Sequence, residues 1–131
     1  MQKRVGKIIK PGDVNPWPHE EATAKSLALC GHDVEFIRKS NRDREHSADA
    51  YVDGVKWEFK ASKSKLLSAV ERNLRRAKNQ SNRIVFDSRR MKGVPDESIM
   101  REIMSKAPLI RDISNIIYID KHGKCIDIFR K

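Results

Sequence analysis

Two carboxylates fall in one short stretch of alternating apolar and polar residues. The dipeptide Asp53-Gly54 separates the two halves of this stretch and is typical of a two-residue hairpin turn. The turn pairs Val52 with Val55 and sets Asp49 across from Glu58, with their β-carbons roughly 5 Å apart. Because two like charges in a cross-strand pair repel each other, the pattern indicates a divalent cation site. Hard oxygen ligands suit Mg²⁺ or Mn²⁺, with Zn²⁺ as an alternative.

The side-chain alternation of the predicted hairpin supports its register. One face is wholly apolar and holds Ala48, Ala50, Val52, Val55, Trp57 and Phe59. The other face is polar and holds Ser47, Asp49, Tyr51, Lys56, Glu58 and Lys60. An ammonium group at Lys60 could orient or deprotonate a metal-bound water, or neutralise charge in a transition state. The Phe59 carbonyl is a further candidate metal ligand. The alternative is a solvated polar face on which Lys56 and Lys60 screen Glu58.

Two predicted helices could bring further polar side chains to this hairpin. Pro18 suits the first turn of a helix that would run to Cys30, and Glu20 in it is a candidate third carboxylate. Gln80 ends a second predicted helix, Ser64–Gln80. His19 and His46 could serve as substrate ligands or proton donors, although a lone histidine is more often a surface residue.

The remaining pattern predicts an α/β protein with a mixed sheet, in the order helix, three strands, helix, strand, helix, two strands. The other predicted elements are strands at Val34–Ile37, Ile84–Phe86, Asn115–Asp120 and Lys124–Phe129, and a helix from Pro95. Residues 1–17 are predicted to form a basic, irregular lead-in arm, and residues 18–131 a single domain. Two cysteines make neither a disulfide framework nor a zinc cluster. Cys30 and Cys125 are predicted to be buried thiols, because Cys30 lies among apolar helix residues and Cys125 in an apolar strand pattern.

The charge of the chain favours a polyanionic partner. The formal net charge is +10 with a pI near 9.9, and such an excess is typical of nucleic-acid contact. Ten basic and only two acidic residues lie between Lys63 and Lys92. The predicted phosphate contacts are Arg72, Arg75, Arg76 and Lys78 on the second helix. No apolar run approaches the roughly 18 residues that a membrane span requires, so an integral membrane protein is not expected.

Taken together, these motifs resemble the PD-(D/E)XK nuclease superfamily, whose fold is the restriction-endonuclease-like α-β-β-β-α-β core. The matching residues are Glu20, Asp49, the tripeptide Glu58-Phe59-Lys60 and Gln80. The run Glu20, Ala24, Leu27 and Gly31 is similar to that of C-terminal toxin nuclease domains of contact-dependent growth inhibition systems. Ala48 precedes Asp49, where the superfamily often has proline.

The resemblance implies an endonuclease that hydrolyses tRNA or DNA, delivered from a larger exported protein into the bacterial cytoplasm. It also implies an acidic immunity protein as partner. In this interpretation Asp49, Glu58 and the Phe59 carbonyl hold the metal. Glu20 assists directly or through water, Lys60 positions the attacking water, and Gln80 orients Lys60 or the substrate backbone. A non-catalytic nucleic-acid-binding module and a DNA-processing endonuclease of a phage or mobile element are the alternatives.

Overall fold

The computed structural model describes residues 4–38 and 49–131, and confirms the predicted α/β fold with a seven-stranded mixed sheet and three helices. The strands are β1 (Ile8–Ile9), β2 (Val34–Phe36), β3 (Ala50–Val52), β4 (Val55–Lys60), β5 (Arg83–Asp87), β6 (Asn115–Ile119) and β7 (Cys125–Arg130). The helices are α1 (Pro18–Leu29), α2 (Ser68–Ala77) and α3 (Asp96–Lys106), followed by a 3₁₀ turn at Ala107–Leu109. The predictions for His46, Ser47 and Ala48 lie outside the described residues.

The strands lie in chain order across the sheet, so that β4 occupies its centre. β4 pairs with β3 in antiparallel fashion and with β5 in parallel fashion, and β5 pairs with β6 in parallel fashion. The predicted hairpin register is confirmed, because Val52 pairs with Val55 and Ala50 with Trp57. Asp53 and Gly54 both have positive φ, at 52° and 82°, as a type I′ turn requires.

Hydrophobic residues pack on both faces of the sheet and hold the helices in place. α1 covers the face that carries Trp57 and Phe59, through Ala24 and Leu27. α2 and α3 cover the other face, where their buried residues Val70, Leu74, Ile99 and Ile103 pack on β5 and β6. Glu58 pairs with Ile84 on β5 and therefore lies on this second face of the sheet, which α2 and α3 cover.

α2 begins four residues later than the sequence pattern predicts. Its first residue is Ser68, and Leu67 at the N-cap is 36% exposed instead of contributing to the inner stripe. The chain before it turns on side-chain hydrogen bonds, since Ser62 Oγ accepts the Ser64 N–H and Ser64 Oγ accepts the Leu66 N–H. Serine side chains that bond locally in this way compete with helix formation.

Residues that the sequence assigns to an irregular arm contribute a strand. Ile8–Ile9 pairs in parallel with Val34 and Glu35, so the prediction of an arm without regular structure is wrong for this segment. The Gly6 N–H donates to the Ala28 carbonyl at 2.7 Å and so ties the arm to the C-terminal end of α1. Both isoleucines of this two-residue strand are half-exposed. The sequence therefore showed no alternation of buried and exposed residues that would predict a strand here.

The contact at Gly6 gives a stability prediction. A β-carbon there would lie 1.8 Å from the main-chain oxygen of His32, so the backbone would have to move. We expect Gly6→Ala to lower the free energy of unfolding by about 1–3 kcal/mol, measured by urea denaturation. Gly12→Ala is the matched control, because a β-carbon at Gly12 meets nothing within 4 Å. Equal midpoints for the two variants would show that β1 does not contribute to stability.

A buried ion pair fixes α1 against β5. Asp87 is 3% exposed, and it accepts hydrogen bonds from Arg89 Nε at 2.9 Å and Arg89 Nη2 at 2.6 Å. Thr23 of α1 donates to Asp87 at 2.7 Å, and Arg89 also donates to the Ala22 carbonyl. These contacts set the position of the N-terminal half of α1, which carries the predicted site residue Glu20.

Two further sequence predictions concern the thiols and the membrane. Cys30 and Cys125 are free, as expected, but both are half-buried instead of buried. Burial raises the pKa of Cys125, whose thiol also approaches the Ser26 carbonyl at 3.6 Å. None of the helices in the described ranges combines the length and the apolar character needed to cross a bilayer.

Candidate active site

The structure brings the two hairpin carboxylates together in one cleft. Asp49 precedes β3 and Glu58 lies in β4, and each is only 7% exposed. The cleft has a volume of about 350 Å³ and is lined by Trp17, His19, Glu20, Asp49, Glu58, Phe59, Lys60, Ala61, Ser62 and Asn73. We call it the acidic cleft. Six residues singled out from the sequence therefore line one surface: His19, Glu20, Asp49, Glu58, Phe59 and Lys60.

The main chain of β4 anchors one oxygen of Asp49. The Phe59 N–H donates to Asp49 Oδ2 at 2.8 Å. In a regular hairpin, an N–H at this position would donate to a main-chain carbonyl of the partner strand. The Asp49 N–H donates to the Trp57 carbonyl at 3.1 Å. The Asp49 carboxylate is consequently fixed beside the segment that carries Glu58 and Lys60.

Lys60 supplies positive charge next to this pair. Its Nζ lies 3.7 Å from Glu58 Oε2, and its side chain is 26% exposed against 9% for that of Glu58. The distance is that of an ion pair and is longer than a hydrogen bond. The ammonium group therefore stands near the carboxylate while part of it reaches the open space of the cleft.

Glu20 lines the acidic cleft but is engaged at the start of α1. Its Oε1 accepts the Trp17 N–H at 2.8 Å, which caps the first turn of the helix. No group of three His, Cys, Asp or Glu side chains able to hold a metal ion occurs among residues 4–38 and 49–131. The assistance of Glu20, directly or through water, stays a prediction.

Gln80 follows α2 and does not line the acidic cleft. The neighbouring Ser81 hydroxyl donates to the Lys56 carbonyl at 3.0 Å, which places this loop near the start of β4. Lys60 is four residues further along the strand, about 13 Å at 3.3 Å per residue. A role for Gln80 in orienting Lys60 or the substrate backbone stays a prediction.

The four predicted phosphate contacts on α2 divide into two pairs. Arg75 and Lys78 are engaged in ion pairs, with Glu71 at 2.9 Å and with Asp112 at 3.8 Å. Arg72 and Arg76 are exposed and have no acidic partner among the described residues. Arg76 lies three residues after Asn73, on the side of α2 that borders the acidic cleft.

Two residues of this region were missed from the sequence. Trp17, whose indole is 69% exposed, lies on the rim of the acidic cleft. Arg90 donates to the Ala61 carbonyl at 3.2 Å and so reaches the segment after β4 from the loop after β5. The sequence held a signal for Trp17, namely a tryptophan three residues before Glu20 among prolines. Arg90 could be placed only once the pairing of β4 and β5 was known.

His19 lines the acidic cleft, and its surroundings give a pH prediction. Burial, followed by the positive charge of Arg90, lowers the pKa of His19 below its usual 6.5, while Asp49 opposes this. The folded protein therefore favours neutral imidazole. The stability that His19 contributes is present above pH 6.5 and is lost as the pH falls through the folded-state pKa.

This prediction can be checked by NMR titration of the histidines in metal-free buffer. We expect the His19 midpoint to lie below 6.5, to rise in Arg90→Gln and to fall further in Asp49→Asn. The exposed turn residue His122 provides a reference signal in the same spectra. A midpoint at or above 6.5 in the wild type, or one that Arg90→Gln leaves unchanged, would contradict the proximity of His19 and Arg90.

The acidic cleft has the donor set of a hard-cation site. Two nearly buried carboxylates, Asp49 and Glu58, line the same cleft, and Lys60 lies beside Glu58. A cation bound by both carboxylates would offset their mutual repulsion. Two carboxylates and a main-chain carbonyl suit Mg²⁺ or Mn²⁺, which retain several waters and accept phosphate oxygens. The residues present therefore fit the metal that the sequence predicts.

Comparison with known proteins gives two findings. Residues 46–125 match the family model of the contact-dependent growth inhibition CdiA C-terminal domain. The chain is also similar in structure to a chain of the CdiA-CT/CdiI toxin and immunity complex from Burkholderia pseudomallei. That match has a TM-score of 0.71 and 18% sequence identity, and covers 95% of this chain and 99% of the other, which shows a shared fold. No curated protein sequence matches this one.

Proposed function

The chain belongs to the family of contact-dependent growth inhibition CdiA C-terminal domains, and from this premise we propose that it is a toxin domain that hydrolyses phosphodiester bonds in tRNA or DNA. The observation that carries the proposal is the burial of Asp49 and Glu58 in one cleft beside Lys60. Two buried carboxylates are costly to a fold, and a protein that only binds nucleic acid has no use for them.

In this proposal Asp49, Glu58 and the Phe59 carbonyl hold a divalent cation, either Mg²⁺ or Mn²⁺. A cation bound there supplies charge neutralisation and a more acidic water for attack on phosphorus. Lys60 orients that water or neutralises charge developing on the phosphate. Burial and the nearby positive charge of Arg90 lower the pKa of His19, which favours a neutral imidazole that could accept a hydrogen bond from water or substrate.

Charge supports the choice of a nucleic acid as substrate. The chain carries a net +10. The side chains of Arg72 and Arg76 are exposed on α2, the helix that contributes Asn73 to the acidic cleft. Lysine and arginine contacts to phosphates give affinity that depends on salt and little on sequence. The same charge suits an acidic immunity protein, and the structural neighbour is a toxin and immunity complex. Delivery as part of a larger exported protein, with action in the cytoplasm of a target bacterium, completes the proposal.

The proposal is tested by incubating the protein with total tRNA and with plasmid DNA, side by side, with Mg²⁺, Mn²⁺, Zn²⁺ or EDTA. We expect one of the two substrates to be cleaved in the presence of a divalent metal and to remain intact in EDTA. The substrate that disappears separates a ribonuclease from a deoxyribonuclease. If neither is cleaved with any metal while salt-sensitive binding persists, the non-catalytic binding module becomes the correct interpretation.

A further inference from the structure

A second cavity lies near the C-terminal ends of β4 and β5, and the described residues that line it are all cationic. Its volume is about 410 Å³, and its lining consists of Lys63, Lys65, Arg89, Arg90 and Lys92. We call it the basic cavity. The lysines at 63 and 65 follow β4, and the other three residues follow β5. Because β4 and β5 are parallel, their carboxyl ends meet at one edge, where ligands commonly bind in such sheets.

Most of the charge in the basic cavity is not neutralised within the described part of the chain. Arg89 pairs with the buried Asp87. Lys63, Lys65, Arg90 and Lys92 have no acidic partner within 4 Å among the described residues. Four cations gathered around one concave surface repel one another and destabilise the free protein, a cost that an anionic ligand would remove.

Arg90 joins the basic cavity to the acidic cleft. It lines the basic cavity and donates to the carbonyl of Ala61, which lines the acidic cleft. Only Ser62 separates Ala61 from Lys63, the first cation of the basic cavity. The two surfaces are therefore consecutive along the chain that leaves β4, with carboxylates on one side and cations on the other.

The side chains of the basic cavity identify the chemical class of its ligand. Arginine can bind a phosphate in bidentate fashion, and lysine binds it as a point charge. Within residues 4–38 and 49–131, no aromatic side chain lines the cavity, so this part of the chain offers no surface there on which a base could stack. The lining thus suits the backbone of a nucleic acid and not its bases.

We infer that the basic cavity binds backbone phosphates of the nucleic acid next to the phosphodiester that is cleaved in the acidic cleft. This inference rests on the function proposed above. It assigns the main electrostatic contact with the nucleic acid to the loops after β4 and β5. The sequence had instead indicated the basic residues of α2. Arg72 and Arg76 would then contact the substrate on the other side of the acidic cleft.

The test compares two triple variants with the same change in net charge. Lys63→Gln/Lys65→Gln/Lys92→Gln removes three cations of the basic cavity. Arg83→Gln/Arg101→Gln/Arg111→Gln removes three exposed cations elsewhere, of which Arg83 is at the opposite end of β5. Binding of fluorescein-labelled total tRNA and of a labelled DNA duplex is measured in EDTA, so that no cleavage occurs, at several salt concentrations.

We expect the basic-cavity variant to bind on the order of 10–100-fold more weakly at low salt. Its slope of log K against log[salt] should be smaller by about two to three, since each lost phosphate contact changes it by about 0.9. The control variant should bind within about threefold of the wild type. Equal losses in the two variants would overturn the inference, because net charge alone would then explain binding. Unchanged binding by the basic-cavity variant would also overturn it and would point to an acidic protein as the occupant.

The two proposals fail in different ways. If the wild type cleaves nucleic acid with metal but both triple variants bind alike, the inference is wrong and the proposed function stands. If the wild type cleaves nothing and yet the basic-cavity variant alone loses binding, the phosphate site stands and the nuclease proposal is wrong. Melting temperatures of both variants, measured beforehand, establish that each is folded.

Discussion

Glu58→Gln should lower the rate of nucleic-acid cleavage on the order of 10³-fold while the protein remains folded. The carboxylate that is removed belongs to a residue that is 7% exposed, and it is one of the two carboxylates proposed to hold the metal. Glutamine keeps the size of the side chain, so packing against α2 is preserved. The loss is measured as the single-turnover rate with saturating metal. Glu97→Gln, an exposed position in the first turn of α3, is the control and should keep the wild-type rate.

The same substitution should leave stability unchanged or raise it. Asp49 and Glu58 repel each other in the metal-free protein, so removing one charge favours folding by about 1 kcal/mol. The weak Glu58–Lys60 ion pair at 3.7 Å offsets part of this gain. A loss of activity without a loss of stability marks a functional residue. A folded Glu58→Gln protein that keeps more than a tenth of the wild-type rate would contradict the assignment of Glu58 as a ligand.

The largest effect on stability is expected from Arg89→Ala. Asp87 is 3% exposed, and this substitution removes the ion-pair partner of its carboxylate. It also removes the hydrogen bond from Arg89 to the Ala22 carbonyl of α1. Breaking a buried ion pair from one side costs several kcal/mol. Because the Arg89 side chain is 30% exposed, we expect about 3 kcal/mol, at the lower end of that range. The free energy of unfolding from urea denaturation measures the effect.

A second substitution separates the ion pair from general packing. Adding Asp87→Asn to Arg89→Ala removes the buried charge, so the double variant should be more stable than Arg89→Ala alone. Arg101→Gln, on the exposed side of α3, is the control and should lie within about 0.5 kcal/mol of the wild type. An Arg89→Ala protein as stable as this control would show that the link between α1 and β5 is unimportant.

The hairpin was the part of the fold most readily predicted from the sequence. An Asp-Gly turn between alternating residues specifies both register and face, because a slip by one residue would expose Trp57 and Phe59. That register brought Asp49, Glu58 and Lys60 together correctly. It did not reveal that the Asp49 carboxylate accepts the Phe59 N–H, since side-chain hydrogen bonds of this kind follow from local geometry at the strand end.

What the sequence did not reveal depends on contacts distant along the chain. β1 has two residues, and its pairing with β2 relies on the close approach of Gly6 to His32 and Ala28. The basic cavity forms because two parallel strands end at one edge, which no local pattern encodes. The four basic residues of α2 were predicted to contact phosphates, but two of them form ion pairs within the protein. The charge pattern of the helix could not show that Arg75 pairs with Glu71 and Lys78 with Asp112.

The most direct test of the central claim is the single-turnover cleavage rate as a function of Mn²⁺ concentration, for the wild type and Asp49→Asn. If Asp49 and Glu58 hold the cation, the wild-type rate will rise to saturation with Mn²⁺ and vanish in EDTA. The Asp49→Asn curve will be shifted to a much higher concentration or be absent. Wild-type cleavage that persists in EDTA, or a curve for Asp49→Asn that coincides with the wild-type curve, would contradict the assignment of the acidic cleft as a metal-dependent active site.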